Sequence, residues 1–217
     1  MRTLFLTAVA AAAIGAATPA LAQDQSFSGP RIGGLLGYDI VTAGSSEDSD
    51  VPGDDQSADG FLYGADIGYD VNLGGVVLGV EGEVSGSTGK VDNDPVDPNY
   101  FGFGRVSTGR DLYVGARLGK IVARDTLLYV KGGYTNQRLN VLASNGTTEL
   151  DDHFDLDGWR LGAGVERAMG RNTYAKLEYR YSNYSNARLD FADGSASPNF
   201  DVDTDRHQIV AGIGVRF

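Results

Sequence analysis

Charged side chains recur at every second position of several glycine-rich runs, and the first chemistry they suggest is ion pairing. A spacing of two places such side chains on one face of a β-strand. Seven are acidic and seven are basic, a balance expected where charges are enclosed and must neutralise one another. The set consists of Arg31, Asp39, Asp66, Asp70, Glu81, Glu83, Arg117, Lys131, Arg160, Glu166, Lys176, Glu178, Arg180 and Arg216.

Four carboxylates of this set, Glu81, Glu83, Glu178 and Asp66, could also provide the acid pair of a catalytic site. Matching arginines and lysines lie on the same strand faces, so ion pairing is the simpler explanation. The sequence contains no phosphate loop, redox motif or nucleotide fingerprint. We therefore predict that the protein is not an enzyme and carries no cofactor.

The two histidines, His153 and His207, are the only side chains that could act as imidazole bases. A lipid hydrolase would need a histidine close to a serine and a carboxylate. His207 is followed by Gln208 and Ile209, with no serine one or two places on. A structural role is the favoured interpretation of these histidines.

Three acidic clusters raise the question of metal binding. The first partly matches the spacing of a calcium loop, but Pro52 occupies a ligand position and no helices are predicted beside it. Solvated loop tips are the simpler interpretation, and weak divalent-cation binding is the alternative. The clusters are Asp48, Asp50, Gly53, Asp54 and Asp59; Asp151, Asp152, Asp155 and Asp157; and Asp201, Asp203 and Asp205.

The charged positions belong to eight runs of alternating character, which predict eight β-strands. In the last run, 206–217, apolar residues alternate with glycines and Arg216. The earlier runs are 30–41, 60–71, 76–86, 110–120, 126–141, 158–169 and 173–184. Long polar connections at 42–59, 87–109, 144–157 and 185–205 alternate with short turns. This order predicts an all-β fold, an eight-stranded antiparallel up-and-down transmembrane β-barrel over residues 29–217.

The size of the residues on each strand face indicates which face points inward. Glycines share the charged face, where they make room for long side chains inside a small barrel, whereas a soluble sandwich would have a core of Val, Ile and Leu there. The other face is bulky and apolar, with Arg110 and Arg167 as charges near strand ends. Aromatic residues lie towards the two ends of this face, as in an interfacial girdle: Tyr38, Phe61, Tyr63, Tyr134, Trp159 and Tyr181 at one end, Tyr69 and Phe217 at the other.

Residues 1–22 resemble a cleaved signal peptide. Arg2 is followed by an apolar stretch at 4–17 and by Ala20-Leu21-Ala22, an A-x-A cleavage site. The mature protein is expected to begin at Gln23, with 23–28 as a short periplasmic segment. The alternative, a membrane anchor helix, is less favoured because the apolar stretch is short.

The overall composition excludes several classes of partner and site. The net charge of −11 argues against a nucleic-acid partner, which would need a basic face. With no cysteine, the chain can form neither disulfides nor thiolate metal sites.

Several runs resemble the small outer-membrane β-barrel proteins of Gram-negative bacteria, the porin family with opacity-like and OmpA-like transmembrane domains. The matching segments are 79–83, 117–119, 128–134, 177–181 and the terminal Phe217. The resemblance implies location in the cell outer membrane, contact with lipid and lipopolysaccharide, and no enzyme activity. It also implies insertion by the barrel-assembly machinery, which reads an aromatic C-terminal strand such as the one ending in Phe217.

Three functions follow as hypotheses from this sequence. The first is a structural or surface protein with a charge-filled lumen and four acidic extracellular loops. The second is a narrow channel for ions or small solutes, which would require the ion pairs to rearrange because side chains fill an eight-stranded lumen. The third, a lipid-modifying enzyme, has no supporting set of residues.

Overall fold

The computed structural model describes residues 27–43, 56–92, 105–144, 149–190 and 200–217, and the described chain is built from β-strands. Alternating apolar and small or charged residues form strands because each strand buries one face and exposes the other. The strands are β1 (Gly29–Ala43), β2 (Gln56–Asn72), β3 (Val76–Ser87), β4 (Lys90–Asp92), β5 (Arg105–Ala123), β6 (Thr126–Ser144), β7 (Glu149–Ala168), β8 (Thr173–Asp190) and β9 (Phe200–Arg216).

Pairing between first and last strands closes the sheet into a barrel. Consecutive strands pair antiparallel except β3 and β4, β3 pairs instead with β5, and β1 also pairs with β9. The short β4 pairs with the beginning of β5 and follows β3 after Thr88 and Gly89, so it extends the third barrel strand. The prediction of an eight-stranded antiparallel up-and-down barrel is confirmed.

The strands are tilted, as the pairing register shows. A walk across successive paired residues, starting at Gly33, returns to β1 at Ala43, ten residues further along. This stagger is the shear of the barrel, and with eight strands it leaves an interior that side chains can fill. The walk passes through Asp66, Glu83, Tyr113, Thr135, Gly158, Tyr184 and Thr204.

Three short turns lie together at one end of the barrel. The turn between β2 and β3 needs glycine, because Gly74 and Gly75 have φ angles of 69° and 95°. The Asn72 side-chain oxygen accepts a hydrogen bond of 2.8 Å from the Gly75 backbone nitrogen. The other two turns, at 124–125 and 169–172, join β5 to β6 and β7 to β8.

At the opposite end the strands continue further than the sequence alternation predicts. β6 runs to Ser144 and β7 begins at Glu149, so most of the predicted connection 144–157 is strand. β8 and β9 likewise extend into the predicted connection 185–205. The prediction was wrong because apolar alternation marks only the part of each strand with an apolar outer face, whereas backbone pairing continues into the polar strand ends.

Several sequence predictions concern residues outside the described ranges. These are the signal peptide, residues 1–22, and most of the first acidic cluster, Asp48, Asp50, Gly53 and Asp54. Of the segment 23–28, the structure describes Phe27 and Ser28. No helix within the described ranges has the length and apolar character needed to cross a membrane.

Candidate functional site

Burial alternates along the strands and separates an inward face from an outward face. Arg160 and Arg180 on the inward face have no exposed surface, whereas Val80 and Val114 on the outward face are about 60% exposed. Burying arginine while exposing valine is the reverse of a water-soluble protein. The arrangement suits a barrel surrounded by an apolar solvent.

All fourteen charged residues singled out in the sequence lie on the inward face and are buried. The most exposed of them, Glu83, retains 7% of its surface. Because unpaired buried charges are strongly disfavoured, the contacts among these residues determine whether the site is stable.

At the short-turn end, two arginines share two carboxylates. Arg117 donates to both oxygens of Asp70, at 2.8 and 2.6 Å, and to Glu166 at 2.8 Å. Arg216 lies 3.0 Å from Asp70 and 2.6 Å from Glu166. Each charge in this group of four therefore contacts two of opposite sign.

In the middle of the barrel, Arg31 and Lys131 bind several acidic residues each. Arg31 donates hydrogen bonds to Asp66 and Glu81. Lys131 lies 2.7 Å from Glu81 and 2.8 Å from Glu178. Glu81 thus bridges two cations that belong to strands on different sides of the barrel.

Towards the other end, the structure adds two charged residues that the sequence analysis missed, Asp111 and Arg206. Arg206 forms a bidentate ion pair with Asp39, in which Nε and Nη2 each donate a hydrogen bond of 2.7 Å to one carboxylate oxygen. Asp111 accepts hydrogen bonds from both Arg160 and Arg206. Asp111 is an even number of residues from Arg117 and so lies on the same strand face, which means that alternation alone could have identified it. Arg206 was missed because it is the first residue of its run.

The sixteen residues form one continuous ion-pair network, with eight acidic and eight basic members, in which every link is at most 4.0 Å. Lys176 joins Asp66 at 3.3 Å to Glu178 at 3.6 Å. Arg180 joins Glu178 to Glu83. The path through the barrel is Arg216, Asp70, Arg31, Asp66, Lys176, Glu178, Arg180, Glu83, Arg160, Asp111, Arg206, Asp39.

Inward glycines lie beneath long side chains of the strand next to them. The side-chain atoms of Arg31 approach within 2.8 Å of the position that a Cβ of Gly68 would occupy, and Gly68 is its paired residue. The same relation holds between other directly paired residues: Lys131 and Gly162, Lys176 and Gly212, Tyr129 and Gly164, and Tyr174 and Gly214. A larger residue at these positions would displace part of the network.

Inward-facing tyrosines support the cations of the network. The Tyr129 hydroxyl donates to Glu178 at 2.5 Å, and its ring lies 5.0 Å from the Arg117 guanidinium. The Lys131 ammonium lies 4.7 Å from the centre of the Tyr113 ring. Such contacts favour cations that have lost water.

Apolar residues close the short-turn end of the interior. Phe27 is 1% exposed and packs with Val77, Leu127 and Tyr129. The Arg216 guanidinium lies 5.6 Å from the centre of the Phe27 ring. The sequence predicts only a short periplasmic segment at 23–28, because a single phenylalanine before the first strand carries no periodic signal.

Comparison with known proteins identifies the family. The family model described as "Outer membrane protein beta-barrel domain" matches residues 8–217. The chain belongs to this outer-membrane β-barrel family. It is 29% identical over 198 residues to the 25 kDa outer-membrane immunogenic protein of Brucella abortus. This alignment covers 91% of this chain and 82% of the relative. It is also 29% identical over 192 residues to a 22 kDa outer membrane protein of Rhizobium leguminosarum, and this alignment covers 88% of this chain and 79% of the relative.

Solved structures agree on the fold. The outer membrane protein OprG from Pseudomonas aeruginosa aligns with a TM-score of 0.56 at 16% identity, over 88% of this chain and 97% of OprG. Because the family and the named relatives are outer-membrane proteins, the protein resides in the cell outer membrane. In such barrels the short turns face the periplasm and the long connections face outside.

The extracellular end of this outer-membrane barrel carries a repeated aromatic and acidic pattern. In three pairs of adjacent strands, an outward tyrosine donates a hydrogen bond to an aspartate on the next strand. The aspartate precedes the tyrosine's cross-strand partner by two residues in the sequence. The pairs are Tyr38 with Asp59, Tyr134 with Asp157 and Tyr181 with Asp205; the cross-strand partners are Phe61, Trp159 and His207. Rings at the depth of the headgroups with polar tips towards water are typical of interfacial residues.

His207 belongs to this aromatic surface. Its Nδ1 lies 2.7 Å from the Tyr179 hydroxyl, and its ring centre is 5.2 Å from that of Tyr181. Its described contacts are therefore those of a packed interfacial residue. The side chain of His153 lies outside the described part of the chain. No group of three or more potential metal ligands occurs among the described residues.

Trp159 provides a direct test of the membrane depth of this surface. It is the single tryptophan in the chain and packs edge-on against Tyr181, with ring centres 5.4 Å apart. We expect its fluorescence in the refolded barrel to be quenched most strongly by lipids brominated near the headgroup. Strong quenching by aqueous iodide with no effect of brominated lipid would contradict the assigned depth.

At the periplasmic end the charges on the outward face are exposed. Arg167 donates a hydrogen bond of 2.9 Å to Asp125 in a turn. Hydrogen bonds from the Thr126 hydroxyl and from Arg167 lower the pKa of Asp125 below its usual value. Lys120, omitted from the sequence analysis, is a further exposed charge near a strand end.

Proposed function

We propose that the protein is a structural and surface protein of the outer membrane, with a lumen closed by the ion-pair network. The observation that carries this proposal is the continuity of the network, which extends from Arg216 near the periplasmic end to Asp39 near the extracellular end. Its eight cations and eight carboxylates balance, so no net charge is left to attract an ion.

The energetics of buried charges favour a closed lumen. Separating one partner from a buried pair costs about 3–5 kcal/mol because the other charge is left uncompensated. Opening a path for ions would disrupt several links at once, since most members contact two or three opposite charges. Phe27 at the periplasmic end and the cluster of Leu35, Leu62 and Val210 add apolar barriers.

Display at the cell surface is the second part of the proposal. The connections between β1 and β2, β3–β4 and β5, β6 and β7, and β8 and β9 all leave the extracellular end. Brucella relatives are named outer-membrane immunogenic proteins, which supports exposure of such segments to antibodies.

Two further interactions are parts of the same proposal. The acidic connections bind divalent cations weakly, and the assembly machinery recognises the terminal Phe217, which is 73% exposed.

A narrow channel is the alternative, and one observation favours it. Several buried polar atoms, including the Tyr113 and Tyr174 hydroxyls and Ser85 Oγ, have no hydrogen-bond partner within the described chain. Buried polar groups are normally satisfied by protein or water. Water in the lumen would lower the cost of rearranging ion pairs.

Planar-bilayer recording separates the two functions. We expect the refolded wild-type barrel, identified by heat-modifiable migration, to show no steady conductance. In a channel, Arg117→Ala would change the current because Arg117 bridges Asp70 and Glu166 in the lumen. Arg167→Ala, on the outward face, is the matched control. Steady wild-type currents that Arg117→Ala alters and Arg167→Ala does not would refute the closed lumen.

A further inference from the structure

A shallow groove lies on the outward, lipid-facing surface over β9, β1, β2, β3 and β5. Its volume is about 1000 Å³ and its lining is mostly apolar. The floor is formed by small residues on the outward face, Gly34, Ala65, Gly86 and Ala211, and Leu36 and Tyr63 are among the residues that form its walls. Its lining contrasts with the interior, where charged side chains predominate.

Packing within the protein does not require glycine at position 34 of this floor. A Cβ added to Gly34 would meet no atom within 4 Å, so the barrel itself would accept a side chain there. Gly86 differs, because the Tyr63 ring lies 3.2 Å from the position of its Cβ and leans across the strand. The groove therefore consists of an open floor beside an aromatic wall.

Arg110 lies at the extracellular end of the groove. It is paired with Gly86 across the β3–β5 ladder, and Gly86 in turn pairs with Tyr63. On the same outward face of β5, Leu112, Val114, Ala116 and Leu118 separate it from Lys120 near the periplasmic end. These two cations bracket the apolar band, which places Arg110 at the depth of the outer headgroups.

The charge of Arg110 is not neutralised by any described residue of this surface. No ion pair of Arg110 occurs among the described residues, whereas Arg138, another cation at this end, lies 3.0 Å from Asp155. The outward carboxylates Asp59, Asp157 and Asp205 are hydrogen-bonded to tyrosines on other hairpins. An exposed guanidinium above an apolar groove is complementary to a phosphate that carries acyl chains.

We propose that this groove binds the lipid A part of lipopolysaccharide, with an acyl chain over Gly34 and Ala65 and a phosphate on Arg110. Lipid A is favoured over a phospholipid because Arg110 faces the outer leaflet, where lipopolysaccharide resides. It also has more phosphate groups and more acyl chains than phosphatidylglycerol to contact Arg110 and a groove of about 1000 Å³. The inference concerns the outer surface of the barrel and does not depend on whether the lumen conducts.

Native mass spectrometry of the micelle-folded protein tests the phosphate contact. The probes are bisphosphorylated lipid A, its dephosphorylated form and phosphatidylglycerol. We expect wild type to retain bisphosphorylated lipid A preferentially and Arg110→Glu to weaken binding about tenfold or more, because a charge-assisted hydrogen bond is lost. Lys120→Glu, on the same face of the same strand, should leave binding unchanged.

The acyl contact is tested by filling the floor of the groove. Gly34→Leu should reduce lipid A binding while keeping the heat-modifiable migration of a folded barrel, and Ala163→Leu, exposed on the outward face of β7, should not. If Gly34→Leu does not fold, Ala65→Leu replaces it. Equal binding of dephosphorylated lipid A or phosphatidylglycerol, or unchanged binding by Arg110→Glu, would overturn the proposal.

Discussion

Replacing Arg31 by alanine is expected to lower the free energy of unfolding by about 4 kcal/mol. Arg31 lies within ion-pair distance of Asp66, Asp70 and Glu81, and all four side chains are almost completely buried. Without the guanidinium, three carboxylates would share the remaining cations in an environment with little water. The loss should appear as a lower midpoint of urea unfolding in micelles, followed by tyrosine and tryptophan fluorescence.

Arg167→Ala is the matched control for this prediction. It also removes an arginine from an ion pair, but its side chain is 69% exposed and that of Asp125 is 42% exposed. Surface pairs of this kind contribute little because water and salt screen them. We expect no measurable change in its midpoint. Equal effects of the two substitutions would show that Arg31 is not buried in a network.

The second large effect is expected at Gly133. This residue pairs directly with Gly115, and a Cβ at Gly133 would lie 2.5 Å from the Gly115 Cα and would also collide with the Val114 carbonyl oxygen. Because both obstacles are backbone atoms, the strands themselves would have to move. Gly133→Ala should destabilise the barrel by about 3 kcal/mol, measured by the same urea unfolding.

Gly34→Ala provides the contrast, since the new methyl group would enter open space on the lipid-facing surface. Glycine-to-alanine changes that the backbone tolerates stabilise by about 0.5 kcal/mol through the unfolded chain. We expect a neutral or slightly stabilised barrel. The structural explanation for inward glycines would fail if Gly133→Ala were as stable as Gly34→Ala.

Alternation of residue types was sufficient to predict the strands and their faces. It works because a strand has a strict period of two, so each of the runs reports which residues point the same way. Alternation even separates residues that look alike, such as Arg117, which is buried, and Arg110, which is exposed. It does not report where a strand ends in water, and hence the predicted connections were too long.

The identities of the ion-pair partners could not be predicted from the sequence. They depend on the stagger of the strands, which brings Arg31 to Glu81, two strands away, and Arg206 to Asp39, 167 positions away in the sequence. A shift of register by two residues would keep every face and change every partner. Phe27 was missed for a different reason, because it acts as a single packed side chain outside any periodic run.

Hydrogen exchange at arginine Nε–H groups, followed by NMR on the ¹⁵N-arginine-labelled barrel in micelles, tests the closed network most directly. Arg117, Arg180 and Arg206 donate through Nε to Asp70, Glu178 and Asp39. The network predicts that these three exchange far more slowly than the exposed Arg110 and Arg167. Exchange at all five sites at similar, rapid rates would contradict a closed lumen, because it would mean that water reaches the ion pairs freely.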